Sequence, residues 1–390
     1  MRKLLVAGIA ACLTFAALPT ASAAVVGGDQ LGLPGIQVNA GPTAQPLPTI
    51  WARTWIIADA TTGQVLAARR AHKPRPPAST LKTLTSLALL PRLALDGTVT
   101  ATPKAANIYG AKAGLAAGQQ YTIENLFYGM MLPSGNDAAI ALAQAAGGVK
   151  ATVAAMNAVA QQLQANDTHA LSPNGLDAPG QTSSAYDLAL IARAGLARSD
   201  FSTIVSTRKY MFPSKGGGQH PIYNLNQMLT SGFRGAIGVK TGFTTNAGRT
   251  FVGAATRKGH TLIFVGMGIK ESSKVAAEDA LTWGFKNLTQ LTPVGTLVAP
   301  LSPLPVVSQT APLTAVPVAQ ADLSVDASPE VNAAPSVDPI AQQAINQAAI
   351  KVPSPQAQAP SFWLAVIALV VIALLLLAFN ANRNKRRRYR

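Results

Sequence analysis

The chain has 390 residues, of which 48% are hydrophobic and 12% are charged, and it carries a net charge of +16. This length is sufficient for one or two domains with a substantial core. The single cysteine, Cys12, lies near the N-terminus and leaves no disulfide or cysteine chemistry to the rest of the chain. The basic residues form no stripe, so we expect no nucleic-acid partner; an anionic cell-surface polymer or a carboxylate substrate fits the charge better.

The N-terminus has the three parts of a secretory signal peptide: a basic start, an apolar run from Leu4 to Leu18, and a small-residue site ending at Ala23. We predict a signal peptide over residues 1–23, with an uncleaved anchor as the alternative. Residues 24–50 carry glycine and proline every few positions, which predicts an extended lead-in. Two apolar runs around a Thr-Gly turn then predict a β-hairpin over residues 55–70.

The next segment predicts a helix that begins at Ser79. Two prolines and an alanine precede Ser79, and the leucines after it recur at three- and four-residue steps, the spacing of one helix face. Lys82 lies one turn beyond Ser79 on the same side. An ammonium in so apolar a helix is costly, so we expect the pKa of Lys82 to be lowered. A neutral amine beside a hydroxyl can then remove its proton and generate a nucleophile.

The Ser-x-x-Lys pattern is short, and a serine cap followed by a lysine that reaches solvent explains it equally well. A second copy, Ser206 to Lys209, has no apolar helix behind it. We interpret that copy as chance. Ser79 therefore needs further polar partners before it indicates catalysis.

Such partners occur at Ser134-Gly135-Asn136, which interrupts two predicted helices over residues 123–132 and 137–146. A break of this kind presents a hydroxyl and a carboxamide to a cleft, although a capping turn is the alternative. Beyond it we predict helices over 152–166 and 183–197, with a long turn at 171–180 between them.

Strands return at 237–243, 250–255 and 261–267, before a closing helix over 275–288. Alternation along the first strand places Lys240 between Gly238 and Gly242 on one face. Two positions without side chains leave room for another backbone, so a peptide could add itself as an extra strand with its anionic end near Lys240. An exposed lysine that protects a sheet edge from aggregation is the alternative.

Strand-rich segments thus flank a helix-rich middle within residues 51–290. This order predicts an α+β fold of the α/β-sandwich type: one antiparallel sheet made from both ends, flanked by helices and carrying an inserted helical lobe. A site would lie in the cleft between the sheet and the lobe.

The remaining residues have a different composition. Residues 291–361 are rich in proline, alanine and glutamine, which predicts a stalk with no core. Residues 362–379 contain no charge and precede a basic tail at 380–390, which predicts a single membrane-spanning helix with a cytoplasmic tail. A buried hydrophobic helix is the alternative. With the signal peptide, this arrangement predicts a cell-membrane protein whose folded part faces the cell wall outside the cytoplasm.

Each of the three motifs is a weak signal alone, but together and in this order they are a strong indication of a protein family. They are Ser-x-x-Lys at Ser79, Ser-x-Asn at Ser134 and Lys-Thr-Gly at Lys240. With the surrounding residues, over about 50–290, the chain resembles the penicillin-recognising serine enzymes, and among them the low-molecular-mass D-alanyl-D-alanine carboxypeptidases. The β-domain that many members append to the C-terminal side has no counterpart here.

This resemblance implies a role for each motif. Ser79 would attack the penultimate D-alanine carbonyl of a peptidoglycan stem peptide, Lys82 would be the base, and Ser134 would pass a proton to the leaving nitrogen. The backbone N–H groups of Ser79 and Phe243 would hold the oxyanion. The resemblance also implies substrate contacts for the remaining motif residues, which are Asn136, Lys240, Thr241, Gly242 and Phe243. β-Lactam antibiotics would acylate Ser79 as covalent inhibitors, and the resemblance implies neither a metal nor a cofactor.

Three other functions stay open at this point. A class A β-lactamase shares the motifs but needs a glutamate between the second and third, and the chain has none between Glu124 and Glu271. An endopeptidase that cleaves peptide cross-links uses the same residues. A catalytically silent cell-wall-binding protein on a stalk is less consistent with intact Ser79, Lys82 and Lys240.

Overall fold

A computed structural model describes residues 24–304 of the chain. The predicted signal peptide over 1–23, the membrane-spanning segment over 362–379 and the basic tail over 380–390 lie outside the described residues. Most of the predicted stalk over 291–361 does so as well.

Twelve strands lie within the described range. In chain order they are β1 (Ile36–Ala40), β2 (Thr54–Asp59), β3 (Gln64–Arg69), β4 (Thr98–Thr100), β5 (Gln120–Thr122), β6 (Lys209–Pro213), β7 (Gln219–Tyr223), β8 (Ala236–Thr244), β9 (Gly248–Arg257), β10 (His260–Ile269), β11 (Leu291–Thr292) and β12 (Gly295–Thr296).

Nine α-helices lie in the same range. They are α1 (Lys82–Leu89), α2 (Pro103–Ala106), α3 (Ile123–Met131), α4 (Asn136–Ala145), α5 (Val149–Gln162), α6 (Ala185–Leu196), α7 (Ser199–Ser206), α8 (Gln227–Thr230) and α9 (Ser273–Asn287). Short 3₁₀-helices cover Asp29–Gly32, Ala78–Leu81 and Leu288–Gln290.

The main sheet combines strands from both ends of the described range. Its order is β11-β1-β3-β2-β10-β9-β8, with β12 also paired to β3, and all its pairs are antiparallel. Strands β2 and β10 are neighbours although about 200 residues separate them in the chain. The segment between β3 and β8 forms the helical lobe, residues 78–230, which contains α1 to α8. The predicted α+β architecture is therefore confirmed.

The sheet is buried on both faces because apolar side chains alternate along its central strands. In β2, Ile56 packs into the core shared with the helical lobe, and Ile57 packs into a second core under α9. In β10, Val265 packs into the core shared with the helical lobe, and Phe264 packs into the core under α9. This alternation is the period of two that places successive side chains on opposite faces of a sheet.

Helix α1 lies at the centre of the helical lobe. All eight of its residues are buried, and it packs against α5, α6, α3 and α4. Because α1 is surrounded on all sides, it has no face from which charged side chains could reach solvent. This explains why the sequence after Ser79 contains so few charges.

Two predicted boundaries differ from the structure. The lead-in over 24–50 contains β1, which pairs with both β3 and β11, so this segment belongs to the sheet. The stalk predicted from residue 291 starts too early, because β11 and β12 pair with the sheet and Leu297 is 1% exposed. These strands are short and lie among glycine and proline residues, so no alternation of apolar and polar residues predicts them.

Within residues 24–304, no single helix is both long and apolar enough to cross a membrane. Helices α4 and α5 reach the required length and hydropathy only as a pair, and they bend by 93° at the break between them.

Candidate active site

A cleft of about 480 Å³ lies between strand β8 and the helical lobe. The lobe supplies Ser79 and Ser134 to its lining, and the sheet supplies Thr241, Gly242 and Phe243. Three motifs that are far apart in the sequence therefore meet at one cavity.

The turn that carries Ser79 packs directly on strand β8. Ser79 lies in the 3₁₀-helix Ala78–Leu81, immediately before α1. A Cβ atom placed on Gly242 would lie 2.9 Å from the backbone nitrogen of Ser79 and 3.0 Å from that of Thr80. A side chain at residue 242 would thus push the turn that carries Ser79 away from the strand, which explains the glycine.

This contact corrects one expectation from the sequence. We expected Gly238 and Gly242 to leave room for a substrate backbone along the strand. The space at Gly242 is filled by the turn of Ser79, and a Cβ on Gly238 would lie 2.9 Å from Val205 of α7. Both glycines therefore accommodate the chain's own helical lobe.

The Lys82 side chain is fully buried and its Nζ atom has three partners. It lies 2.9 Å from Ser79 Oγ, 2.8 Å from Asn136 Oδ1 and 2.6 Å from the backbone oxygen of Asn174. The amide and backbone oxygens can only accept hydrogen bonds. A neutral amine donates its two N–H groups to them, which directs its lone pair at the Ser79 hydroxyl. The geometry thus suits an amine that takes the serine proton.

The environment of Lys82 also favours its neutral form. Burial lowers the pKa of Lys82 well below its usual range, and the positive charge of Lys240 lowers it further, while Asp137 opposes the shift. Desolvation is the larger cause because a buried ammonium loses its hydration.

Asn174 is a site residue that the sequence analysis missed. It lies in the long turn at 171–180, which Thr85 of α1 holds by donating its hydroxyl to the Pro173 carbonyl at 2.7 Å. The contact with Lys82 uses the backbone oxygen of Asn174, and a backbone atom leaves no signature in residue type. Only the proline-asparagine-glycine turn could have indicated a fixed carbonyl here.

Ser134 and Asn136 lie at the break between α3 and α4, as predicted. Ser134 has φ +66° and is 5% exposed. Asn136 accepts from Lys82 with Oδ1 and donates through Nδ2 to the Tyr109 carbonyl at 2.8 Å. Its amide orientation is fixed because the backbone oxygen of Tyr109 can only accept a hydrogen bond.

The neighbouring Asp137 holds the loop that forms this side of the cleft. Its carboxylate accepts hydrogen bonds from the backbone N–H groups of Ala113, Gly114 and Leu115 at 2.8–3.0 Å. A Cβ on Gly135 would lie 2.6 Å from Asp137 Oδ1, so the second position of the motif must be glycine.

Strand β8 supplies the other wall and is the edge strand of the main sheet. Lys240 is 1% exposed and lies behind the cleft lining, where Nζ donates to the Thr241 carbonyl at 3.0 Å. Burial lowers the pKa of Lys240 to about 7. Thr241 and Gly242 are partly exposed at the cleft, and Phe243 is 67% exposed at its rim.

The charged residues that line the cleft are Arg249 and Lys274, both basic. Arg249 lies directly opposite Phe243 in the register of β8 and β9, and Lys274 is in the first turn of α9. No carboxylate lines this cleft in the part of the chain that the structure describes. The cleft is therefore suited to an anionic ligand. The sequence analysis missed both residues because neither belongs to a motif.

Comparison with known proteins identifies the family. The family model for D-alanyl-D-alanine carboxypeptidase matches residues 40–271. The chain belongs to the D-alanyl-D-alanine carboxypeptidase family. The match spans strands β2, β3, β8, β9 and β10 of the main sheet, the helical lobe and every residue of the three motifs, in agreement with the resemblance seen in the sequence.

Individual members of the carboxypeptidase family show how far the likeness extends. The chain is 43% identical over 259 residues to D-alanyl-D-alanine carboxypeptidase DacB2 of Mycobacterium tuberculosis, a match that covers 65% of this chain and 88% of the relative. It is 35% identical to DacD of Escherichia coli, over 64% of this chain and 66% of the relative.

Solved structures of penicillin-binding DD-peptidases share the fold. A D-alanyl-D-alanine carboxypeptidase from Mycobacterium tuberculosis matches with a TM-score of 0.63 and 41% identity, over 66% of this chain and 99% of that one. A Streptomyces DD-transpeptidase matches with a TM-score of 0.60 and 32% identity, over 62% and 100% of the respective chains. The likeness to these solved structures thus covers about two thirds of this chain.

Proposed function

We propose that this protein is a serine-type D-alanyl-D-alanine carboxypeptidase that removes the terminal D-alanine from peptidoglycan stem peptides. The observation that carries the proposal is the contact between Lys82 Nζ and Ser79 Oγ at 2.9 Å, with two carbonyl acceptors that orient the amine. Family membership supports the substrate class.

In the proposed reaction, Ser79 Oγ bonds to the penultimate D-alanine carbonyl carbon and its proton passes to Lys82 Nζ. The bond between that carbon and the nitrogen of the terminal D-alanine breaks, and the nitrogen receives a proton by way of Ser134. Water then attacks the acyl carbon, the bond between that carbon and Ser79 Oγ breaks, and Ser79 regains a proton from the water as the shortened peptide leaves with a new carboxyl group. The first proton moves between Ser79 Oγ and Lys82 Nζ, which lie 2.9 Å apart, and Ser134 lines the same cleft as Ser79.

The remaining site residues hold the substrate. The backbone N–H groups of Ser79 and Phe243 stabilise the oxyanion, and removal of such a donor typically costs about 100- to 1,000-fold in rate. Asn136 binds the substrate amide. Lys240 and Thr241 bind the terminal carboxylate, and the basic residues that line the cleft attract it. A β-lactam mimics this terminus and acylates Ser79.

The test is D-alanine release from a pentapeptide that ends in D-alanyl-D-alanine, measured together with labelling by a fluorescent penicillin. We expect Ser79→Ala to abolish both. The matched control is Ser206→Ala in the second Ser-x-x-Lys pattern: there Ser206 ends α7 and donates to the Thr203 carbonyl, while Lys209 lies on β6. The proposal fails if Ser79→Ala is labelled like the wild type, or if the unaltered protein releases no D-alanine.

We further propose that the enzyme faces the cell wall and is held in the cell membrane by residues 362–379. The uncharged run before a cluster of arginines supports this, as does the signal-like N-terminus. Truncation after residue 361 should move the penicillin-labelled protein from the membrane fraction to the soluble fraction. An unchanged membrane fraction would contradict the anchor.

A further inference from the structure

A second polar cluster lies outside the catalytic cleft. His72, Asp167 and Asp187 each offer one ligand atom, and these three atoms lie within 4.8 Å of one another. They line a cavity of about 220 Å³ that shares no lining residue with the cleft. The proposed peptidase reaction makes no use of this cluster.

The histidine is already oriented in the way that metal-binding proteins use. Its Nε2 atom lies 2.9 Å from the Val26 carbonyl, and its Nδ1 atom lies 2.8 Å from Asp167 Oδ2. A carbonyl can only accept, so Nε2 carries a proton and Nδ1 faces the carboxylates. Histidines that bind metals commonly donate their second N–H to a carbonyl, which fixes the ring.

Asp187 supplies the observation that points to a missing ligand. Its residue is 1% exposed, and Oδ2 accepts the Thr168 hydroxyl at 2.7 Å. Its Oδ1 atom is buried with no hydrogen-bond partner in the described structure. Buried carboxylate oxygens without partners are rare in native proteins.

The cavity has more carboxylates than cationic partners for them. His72 and Asp167 form an ion pair when the imidazole is protonated, which leaves Asp187 without a cationic partner, since neither lysine nor arginine is among the described residues that line the cavity. A divalent cation bound by both carboxylates and a neutral imidazole would make the site electrically neutral. The cavity is large enough to hold water molecules as further ligands.

We propose that His72 Nδ1, Asp167 and Asp187 bind a divalent transition-metal ion, with zinc as the preferred metal. One imidazole nitrogen, two carboxylate oxygens and a water make the four-coordinate site that zinc favours, and imidazole suits zinc better than it suits calcium or magnesium. Asp187 Oδ1 gains the partner it lacks.

The metal would act on structure rather than on the reaction. His72 lies between β3 and the turn of Ser79, Asp187 is in the first turn of α6, and Val26 belongs to the N-terminal segment. Nearby, the backbone of Arg75 pairs with that of Ser183. One ion would therefore fasten the segment that leads into the nucleophile's turn to α6.

The first test is zinc binding to the chelator-treated, full-length protein, purified in detergent and measured by calorimetry. We expect one site in the wild type, and at least tenfold weaker binding in Asp187→Asn and in His72→Gln, since even the loss of an outer-shell partner costs that much. The matched control is His260→Gln. His260 pairs with Asp59 at 2.7 Å but belongs to no three-ligand group in the described range, so its loss should leave zinc binding unchanged.

The second test is thermal unfolding with and without zinc. At free zinc about 100 times the dissociation constant, the midpoint of the wild type should rise by roughly 5 °C or more. Asp187→Asn should show no zinc response, yet unfold at or above the midpoint of the metal-free wild type because a neutral amide replaces a buried carboxylate. Zinc binding that is absent, or equal in all variants, overturns the proposal. Either result leaves penicillin labelling of Ser79 as a separate question.

Discussion

The two walls of the catalytic cleft each bury one lysine, and the partners of the two lysines differ. On the lobe side, Lys82 Nζ contacts two carbonyl oxygens and the Ser79 hydroxyl. On the sheet side, Lys240 Nζ donates to the Thr241 carbonyl, the one partner that the described structure gives it. When Lys82 is neutral, both of its N–H groups are used by the two carbonyl oxygens. When Lys240 is charged, it uses one N–H group for the Thr241 carbonyl and retains others for an anion. The same residue type is thereby suited to a base on one wall and to a cationic anchor on the other.

The largest effect should come from removing the base. We expect Lys82→Met to lower the rate of Ser79 acylation by penicillin by about 10³- to 10⁴-fold, the upper part of the range for a proton-transfer group. The measurement is single-turnover labelling. The matched control, Lys73→Met, changes an exposed lysine before the nucleophile and should label normally. A labelling rate of the folded Lys82→Met protein within tenfold of the wild-type rate would contradict the role of Lys82 as the base.

A smaller effect should follow from the loss of the anchor. Lys240→Met removes one charge-assisted hydrogen bond to the substrate carboxylate, worth about 1.5–3 kcal/mol, or about 10- to 150-fold in kcat/KM. The wild-type profile should fall as pH rises through the pKa of Lys240, which burial lowers to about 7. This alkaline fall should disappear in Lys240→Met. If the fall persists, another group titrates and Lys240 is not the anchor.

The last prediction concerns stability and not catalysis. The folded pKa of both lysines is lowered, so between about pH 7 and pH 10 the unfolded chain binds more protons than the folded one. The free energy of unfolding should therefore rise with pH between 7.5 and 9.5, by up to about 1.4 kcal/mol per pH unit for each lysine. Denaturant unfolding across this range measures the slope. Lys240→Met should lower this slope by up to about 1.4 kcal/mol per pH unit, the share of one lysine, and an equal slope in both proteins would show that Lys240 is not responsible.

Much of this fold could be predicted from apolar periodicity. Helices such as α1 and α6 and the β2–β3 hairpin bury regular faces, and their patterns are long enough to recognise. The hairpin of β6 and β7 was not predicted, because its turn is a run of glycines and its strands are only partly buried. Strands β1, β11 and β12 acquire their structure only by pairing with one another and with β3, so local sequence carries little sign of them.

The catalytic site also has a part that local sequence predicts and a part that depends on tertiary packing. Ser79 and Lys82 could be predicted together because helix geometry alone places them side by side. Their relation to Lys240 depends on the packing of the 3₁₀ turn against Gly242, and the role of Asn174 depends on a backbone oxygen. Arg249 enters the cleft only through the register of β8 with β9. Site features that depend on tertiary contacts thus cannot be predicted from the local spacing of residues in the sequence.

The pairing of β2 with β10 has a consequence for biosynthesis. During translation, the nucleophile's turn emerges long before the strand against which it packs, and the central pair of the sheet cannot form until residue 269 has left the ribosome. Such non-local pairing makes folding slow. The main sheet, and with it the packing of the Ser79 turn on strand β8, can therefore be completed only when synthesis of the domain is nearly finished.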